Sequence, residues 1–385
     1  MEAARRVGIG ILGGGGILGA HLPAYRKLEA RCEVVAVAEP DPTRHARIRE
    51  LAGREVAILP DYRDVLALPQ VAGVDIILPH HLHLPATEEA AAAGKHVLTE
   101  KVMARNLWEC DRMIEACEQA GVTLTVCHDR RYHGEWQALK RIVDSGVLGE
   151  IQFWKLDHNQ NVVIPPSSWA HWRDGIGGGC IMSCLTHQID ALRWYGGEFD
   201  EVTCLTRSKP ERMQGEFLGV IVGRLKSGAL AELAINWWTS SNRGPNRLWY
   251  ELVQVCGDRG EAYRIDGRGT FVRLHERGDQ AAAAVYGEGV FDGFVPVPVD
   301  PWGGHERCLA EWVGLLRGEP CEVLTSGREC RGTVEVAEAA YRSAETRRTV
   351  TLPIEPRPWQ SVGMPKQLTG ITSSYHVDAG ARRDS

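Results

Sequence analysis

The sequence lacks several features that would assign it quickly. Eleven cysteines are scattered over 385 residues with no Cys-x-x-Cys pair. An odd, dispersed set makes neither a disulfide framework nor a zinc ribbon, and it suits a reducing cytoplasm. The nearest pair, Cys180 and Cys184, brings only two thiols, too few for a zinc site. There is no surplus of positive charge: the formal net charge is −6, with both signs interspersed. No basic field is therefore offered to nucleic acid or to a membrane surface. No stretch of about twenty apolar residues occurs, so no spanning helix is expected. MEAARR followed by VGIGILGGGGILGA imitates a leader peptide, but that run holds seven glycines, which oppose a helical apolar core.

What is present is ordinary in amount and informative in order. Hydrophobic residues make up 44% and charged residues 24%, as in a globular protein. The length exceeds what one core usually fills, so two domains are expected. In the first third, apolar runs (RVGIGIL, CEVVAVAEP, VDIILP, KHVLTE, GVTLTVC) alternate with helical patterns. Continuous apolar strands separated by helices predict a parallel sheet covered on both faces. From about residue 128 the pattern changes to polar–apolar alternation broken by Gly-rich turns, as in FLGVIVGRLKSG, ALAELAINWWTS and LWYELVQVCGDRG. That pattern predicts an antiparallel sheet. The expected division is 1–127 for a Rossmann domain, 128–355 for a substrate-binding and oligomerisation α/β domain, and 356–385 for a C-terminal extension, mobile or clasping a partner.

The first turn carries Gly14-x-Gly16-x-x-Gly19 directly between a strand and a helix. In that context each glycine serves a separate purpose. Gly14 allows the tight turn, Gly16 the approach of a pyrophosphate, and Gly19 helix–strand packing. The amides of Ile17 and Leu18 are expected to face the phosphates. Glu39 ends the second strand, where an acid accepts hydrogen bonds from ribose hydroxyls and repels a 2′-phosphate. This favours NAD over NADP, with Arg44 close enough to soften the preference.

LPHHLHLP follows the strand at Val74–Leu78 and falls on the carboxyl rim of the sheet, where ligands bind in open α/β folds. Metal binding would need about three convergent ligands. His80 and His81 diverge in an extended loop, and no carboxylate adjoins them, so no metal is expected. Pro79, His80 and His83 are read instead as a wall beside the cofactor. Glu100-Lys101 falls on the same rim, and a lysine there suits a developing alkoxide.

These residues resemble the Gfo/Idh/MocA family of oxidoreductases over about residues 5–355. The resemblance implies an N-terminal Rossmann domain, a C-terminal α/β domain with a large open antiparallel sheet, and NAD(P)-dependent oxidation of sugar or cyclitol alcohols. VLTEKVMA is similar to the family's Glu-Lys-Pro run, which implies that Lys101 is catalytic. DRRYH puts Arg131 at a substrate-binding arginine, and WAHWRDGIGGG puts Trp172 and Arg173 beside cofactor, with Trp172 also facing substrate. CIMSCLTHQID resembles the family's Asp-x-Gly-x-His helix, with His187 as the catalytic histidine. Three departures stand out: Val102 for the proline, Ser183 for the acid and Leu185 for the glycine. Without the acid, the proton acceptor is left open among Lys101, neutral His187, Tyr132 and Asp190. Trp154, Trp169, Trp237, Trp238 and Trp249, with His158, Asn159 and Asn161, are candidates for a polyol site. Ser183 and His187 would share a helical face there. The function expected is an NAD-dependent dehydrogenase of a sugar, sugar derivative or cyclitol, as a homodimer or homotetramer. The alternatives are redox-assisted glycoside elimination or hydrolysis, and a non-catalytic NAD-binding sensor.

Overall fold

The structure, a computed structural model, describes residues 6–239, 251–275 and 293–369. The expected strand start at Leu248–Tyr250, Trp249 with it, and the tail from 370 lie outside the described residues.

The first domain is built from β1 (Val7–Leu12), α1 (Leu18–Lys27), β2 (Cys32–Ala38), α2 (His45–Ala52), β3 (Ala57–Leu59), α3 (Tyr62–Leu66), β4 (Gly73–Ile76), α4 (His83–Ala92), β5 (His96–Glu100), α5 (Leu107–Gln119) and β6 (Leu124–Cys127). The six strands are all parallel, in the order β3-β2-β1-β4-β5-β6. The strands are apolar without alternation because helices cover both faces. The order reverses beside β1, so the carboxyl ends of β1 and β4 open a crevice there.

The second domain contains α6 (Gly134–Asp144), β7 (Ile151–Asn159), α7 (Arg173–Ile176), α8 (Thr186–Gly196), β8 (Phe199–Lys209), β9 (Met213–Leu225), β10 (Leu230–Asn236), β11 (Glu251–Gly257), β12 (Gly260–Ile265), β13 (Gly269–Leu274), β14 (Val295–Pro296), α9 (Gly304–Leu316), α10 (Gly327–Thr346) and β15 (Val350–Thr351). Nine strands form one sheet, β14-β13-β12-β11-β7-β10-β9-β8-β15. It is antiparallel except at β7–β10, which run parallel from Phe153↔Leu230 to Asn159↔Asn236. The large antiparallel sheet expected from sequence is present, with this one parallel pair as its exception. The chain between these strands carries α7, α8 and a hairpin, long enough to cross over and re-enter in the same direction.

One face of this sheet packs on α8 and α10. The other leaves Leu205 (75% exposed), Val220, Val222 and Leu230 in the open. Trp154 and Trp237, read from sequence as a possible sugar platform, are buried instead; Trp154 stacks on Tyr195 at 5.8 Å. Two further segments cross the expected divisions. Helix α9 buries Cys308, Leu309, Trp312 and Val313 against Ile9, Ile11 and Leu22 of the first domain. Up to Thr369, the extension clasps its own chain. Asp174 accepts from Trp359 Nε1, Ser361 Oγ and the amides of Val362 and Gly363, and the Thr369 carbonyl accepts from His81 Nε2 at 3.2 Å.

Candidate active site

Two clefts meet at the crevice. The first, about 410 Å³, is walled by Gly13–Ile17, Glu39, Arg44, Ile77–His80, Trp169 and Ser183. The second, about 710 Å³, is walled by Asp129, Arg130, His187, Glu251, Arg264 and His305. Ile17, Glu100, Lys101 and Cys184 line both.

The glycine turn differs in detail from its sequence reading. Gly13, not Gly14, takes the left-handed conformation (φ +111°), which a side chain resists. Gly14 is excluded from carrying a side chain by another route: a Cβ there would lie 2.6 Å from Glu39 Oε2. Its amide donates to that oxygen at 3.0 Å. At Gly15 and Gly16 a Cβ would meet nothing within 4 Å, so the cradle is open to a ligand. The amides of Gly16 and Ile17 have no partner among the described residues, but that of Leu18 donates to Gly15 O at 3.2 Å, and its side chain is buried in the core. Leu18 is therefore withdrawn from the phosphate site. Gly19 is exposed and faces the Arg47 guanidinium instead of packing on a strand.

Glu39 is buried at the floor of the first cleft. Besides Gly14, Arg44 Nη1 donates to Oε2 at 3.0 Å and the Asp41 amide to Oε1 at 2.9 Å. The Arg44 charge beside it reduces the field a 2′-phosphate would meet.

The histidine loop divides three ways. His80 lines the first cleft with Nδ1 facing Ile176 O at 2.9 Å and Trp169 edge-on at 5.0 Å. Burial holds its pKa well below the usual value. The neutral ring donates from Nδ1 and leaves Nε2 an acceptor. His83, expected at the cofactor, is fully buried and faces its own backbone: Val102 O at 2.9 Å on one side and Leu78 O at 2.8 Å on the other. As the first residue of α4 it points back into the loop and ties it together. His81 is pushed down to about 4 by burial. Donor groups with ligand atoms within 4.8 Å of one another occur instead at His21, Glu100, Cys127 and His305, and at His128, Asp190 and Cys330. His21 is shared between Asp75 (2.7 Å) and Glu100 (3.0 Å), and Asp190 is clamped by Arg131.

Lys101 Nζ donates to the Ser183 main-chain carbonyl at 2.8 Å, so Ser183 acts through its backbone and not its hydroxyl. The Lys101 amide donates to Glu100 Oε2 at 3.1 Å, and the Lys101–Val102 peptide is cis. A π-turn at Ile181–Leu185 leads into α8 and carries His187 to the second cleft. Burial, then the charges of Arg130 and Lys101, hold the His187 pKa well below its usual value, so the ring is neutral near pH 7.

Several expected ligands lie elsewhere. Arg131 is buried, bidentate to Asp190 at 2.8 and 2.9 Å. Burial opposes ionisation of Asp190, but Arg131 brings its pKa down to about 2. Tyr132 is packed in the core, taking Leu324 N at 2.9 Å. Neither Asp190 nor Tyr132 reaches the clefts. Arg130, one position earlier on the same short 3-10 turn, faces the cleft in Arg131's place. Trp172 turns its Nε1 to Pro166 O at 2.9 Å, and Arg173 faces Glu345 at 3.8 Å; neither lines a cleft. Trp169, three residues earlier, does. His158 sits under the second cleft beside Glu251 Oε1 at 3.6 Å. Sequence reasoning missed Asp129, Arg130, Glu251 and His305, and the last two come from separate segments and share no motif. Asp129 and Arg130 nevertheless open the DRRYH stretch itself.

Comparison with known proteins agrees with the two-domain fold. Residues 7–128 match the oxidoreductase family with an NAD-binding Rossmann fold, and residues 136–263 match the GFO/IDH/MocA C-terminal domain. A 1-carboxy-3-chloro-3,4-dihydroxycyclo hexa-1,5-diene dehydrogenase of Comamonas testosteroni is 30% identical over 72% of this chain and 68% of its own. A myo-inositol 2-dehydrogenase of Thermotoga maritima is 25% identical over 89% of this chain and 98% of its own. The crystal structure of the WlbA dehydrogenase of Chromobacterium violaceum with NADH and UDP-GlcNAcA superposes with a TM-score of 0.76 at 25% identity, covering 91% of this chain and 97% of the other. The fold and site define an NAD-binding oxidoreductase. The chain belongs to the Gfo/Idh/MocA family.

Proposed function

We propose that the protein oxidises a secondary alcohol of a sugar, sugar derivative or cyclitol, or reduces the matching ketone, with NAD in preference to NADP. The observation that carries this reading is Lys101 at the junction of the two clefts, with His187 on the wall of the second. The first cleft fits a dinucleotide: open glycines and free amides suit a pyrophosphate, and Glu39 suits ribose hydroxyls. NAD held there would supply the hydride acceptor.

The chain's own groups do the rest. Lys101 donates to the substrate oxygen and steadies negative charge as it develops. Neutral His187 offers a lone pair for the hydroxyl proton. Arg130, Glu251 and Arg264 give the second cleft paired charges: Glu251 Oε1 accepts from Arg130 at 2.8 Å, and Arg264 Nη1 lies 3.4 Å from Oε2. Among the described residues of this cleft, no guanidinium stands apart to select a phosphate or carboxylate, which favours a neutral polyol. We assign the protein to a reducing cytoplasm, since all eleven cysteines are free, and to a homodimer or homotetramer built on the exposed face of the large sheet. No described helix is long and apolar enough to cross a membrane.

The test is NADH absorbance with NAD and a panel of cyclitols, aldoses and anhydrosugars, alongside calorimetric titration of NAD and NADP. Turnover of one panel member and tighter binding of NAD are expected. Tighter NADP binding would overturn the cofactor preference. A protein that binds NAD and turns over nothing would favour the sensor reading.

A further inference from the structure

Ser183 leaves His187 without the acid that its family places four residues earlier. Another element brings a carboxylate to the opposite side of the ring. Asp129, on the turn after β6, points Oδ1 at His187 Nδ1 across 3.5 Å. Both atoms are buried and lack a hydrogen-bond partner among the described residues. Two orphaned buried atoms of complementary character, face to face, are one contraction of about 0.5 Å short of a hydrogen bond. Asp129 Oδ2 accepts from Arg130 Nη1 at 2.6 Å and faces His305 Nδ1 at 3.6 Å. The His305 side chain is 24% exposed, and its Nε2 faces Glu100 Oε1 at 3.5 Å. Around His187 the other charged or titratable groups are Arg130, Lys101, Glu251 and His128.

We propose that Asp129 is the positioning carboxylate of this site, holding His187 as the Nδ1–H tautomer. This rests on the dehydrogenase reading. When the carbon's hydride leaves for the cofactor, the substrate O–H bond breaks and a bond from that proton to His187 Nε2 forms. The Nδ1 proton stays on the ring, where ionised Asp129 faces it and balances the imidazolium charge. The Nε2 proton then leaves to water through the open cleft, which restores the Nδ1–H tautomer. One proton leaves the site per turnover, as oxidation of an alcohol by NAD requires.

Asp129→Asn keeps the shape and reverses the polarity. Its amide would donate to Nδ1, forcing the proton to Nε2, where the ring is unable to accept. Nitrogen-15 NMR of histidine-labelled full-length protein with NAD bound reads the tautomer without substrate. The wild type is expected to carry the His187 proton on Nδ1 and Asp129→Asn on Nε2. Turnover of the best panel polyol is expected to fall by about a hundredfold, on the scale of a disabled acid–base group, with NAD affinity unchanged. A proton that stays on Nδ1 in Asp129→Asn overturns the positioning role. A wild type with the expected tautomer that oxidises no polyol defeats the dehydrogenase reading alone and leaves the positioning role standing.

Discussion

The buried His21 offers a quantitative test of how Glu100, at the junction of the two clefts, is held. Its ring is fully buried, with Asp75 Oδ2 at 2.7 Å and Glu100 Oε1 at 3.0 Å. Burial works against the charged ring, but the Asp75 carboxylate dominates and raises its pKa well above 6.5. A raised folded value means the stabilisation is complete below the unfolded value and is lost as pH rises through the folded one. Asp75→Asn removes the counter-charge. Breaking a buried pair costs about 3–5 kcal/mol, and the lower end applies because the asparagine amide still donates to Nδ1 of a neutral ring. Between the variant's His21 pKa and the higher wild-type value, only the wild type holds the extra proton. The deficit therefore shrinks by about 1.4 kcal/mol per pH unit. Urea unfolding of both proteins at about pH 6 and about pH 8 should show a loss of about 3 kcal/mol at the lower pH and a smaller one at the higher. The same loss at both values would refute a cationic His21.

Lys101→Ala should lower turnover by about a hundredfold, the scale of a positioned acid–base group, with NAD affinity in calorimetry nearly unchanged; loss of NAD binding instead would move Lys101 to a structural role. Ser183→Asp places an acid on the face it shares with His187 and should raise the imidazole pKa. Because the ring must be neutral to accept a proton, the acidic limb of the pH–rate profile should move upward; a limb that stays put in a folded, active variant would exclude His187 as the titrating base. Leu205→Lys with Val222→Lys charges the open face of the large sheet, and light scattering should then show smaller particles than the wild type; equal masses would place the subunit contact elsewhere.

Much of the fold is legible in sequence because periodicity is a local signal. The alternation of apolar runs and helices specifies the parallel sheet, and Gly14-x-Gly16 marks its first turn. The parallel β7–β10 pair is not legible, since nothing within either strand names its neighbour. The site divides the same way. Glu39, His80, Lys101 and His187 lie at strand ends or on a helix within patterned stretches, and all line the clefts. Arg131 and Trp172 illustrate the limit: a shift of one position exchanges the cleft residue Arg130 for buried Arg131, and a shift of three exchanges Trp169 for Trp172, which lies off both clefts. His83 misleads because an imidazole with two backbone carbonyls looks, in sequence, like any loop histidine. His305 is out of reach of such reading altogether, lying 176 positions beyond Asp129.

Helix α9 has a consequence for synthesis on the ribosome. Cys308, Leu309, Trp312 and Val313 complete the layer over Ile9 and Ile11, yet some 300 residues separate the two in the chain. The nascent N-terminal sheet therefore waits, one flank uncovered, until almost the whole polypeptide has emerged. Contacts of such long range close slowly and leave apolar surface transiently exposed. A chaperone that shields that flank during elongation should raise the yield of native protein, and a co-translational protease-resistance profile should show residues 7–128 becoming resistant only after Leu316 clears the exit tunnel; resistance appearing near residue 160 would show that the sheet closes without α9.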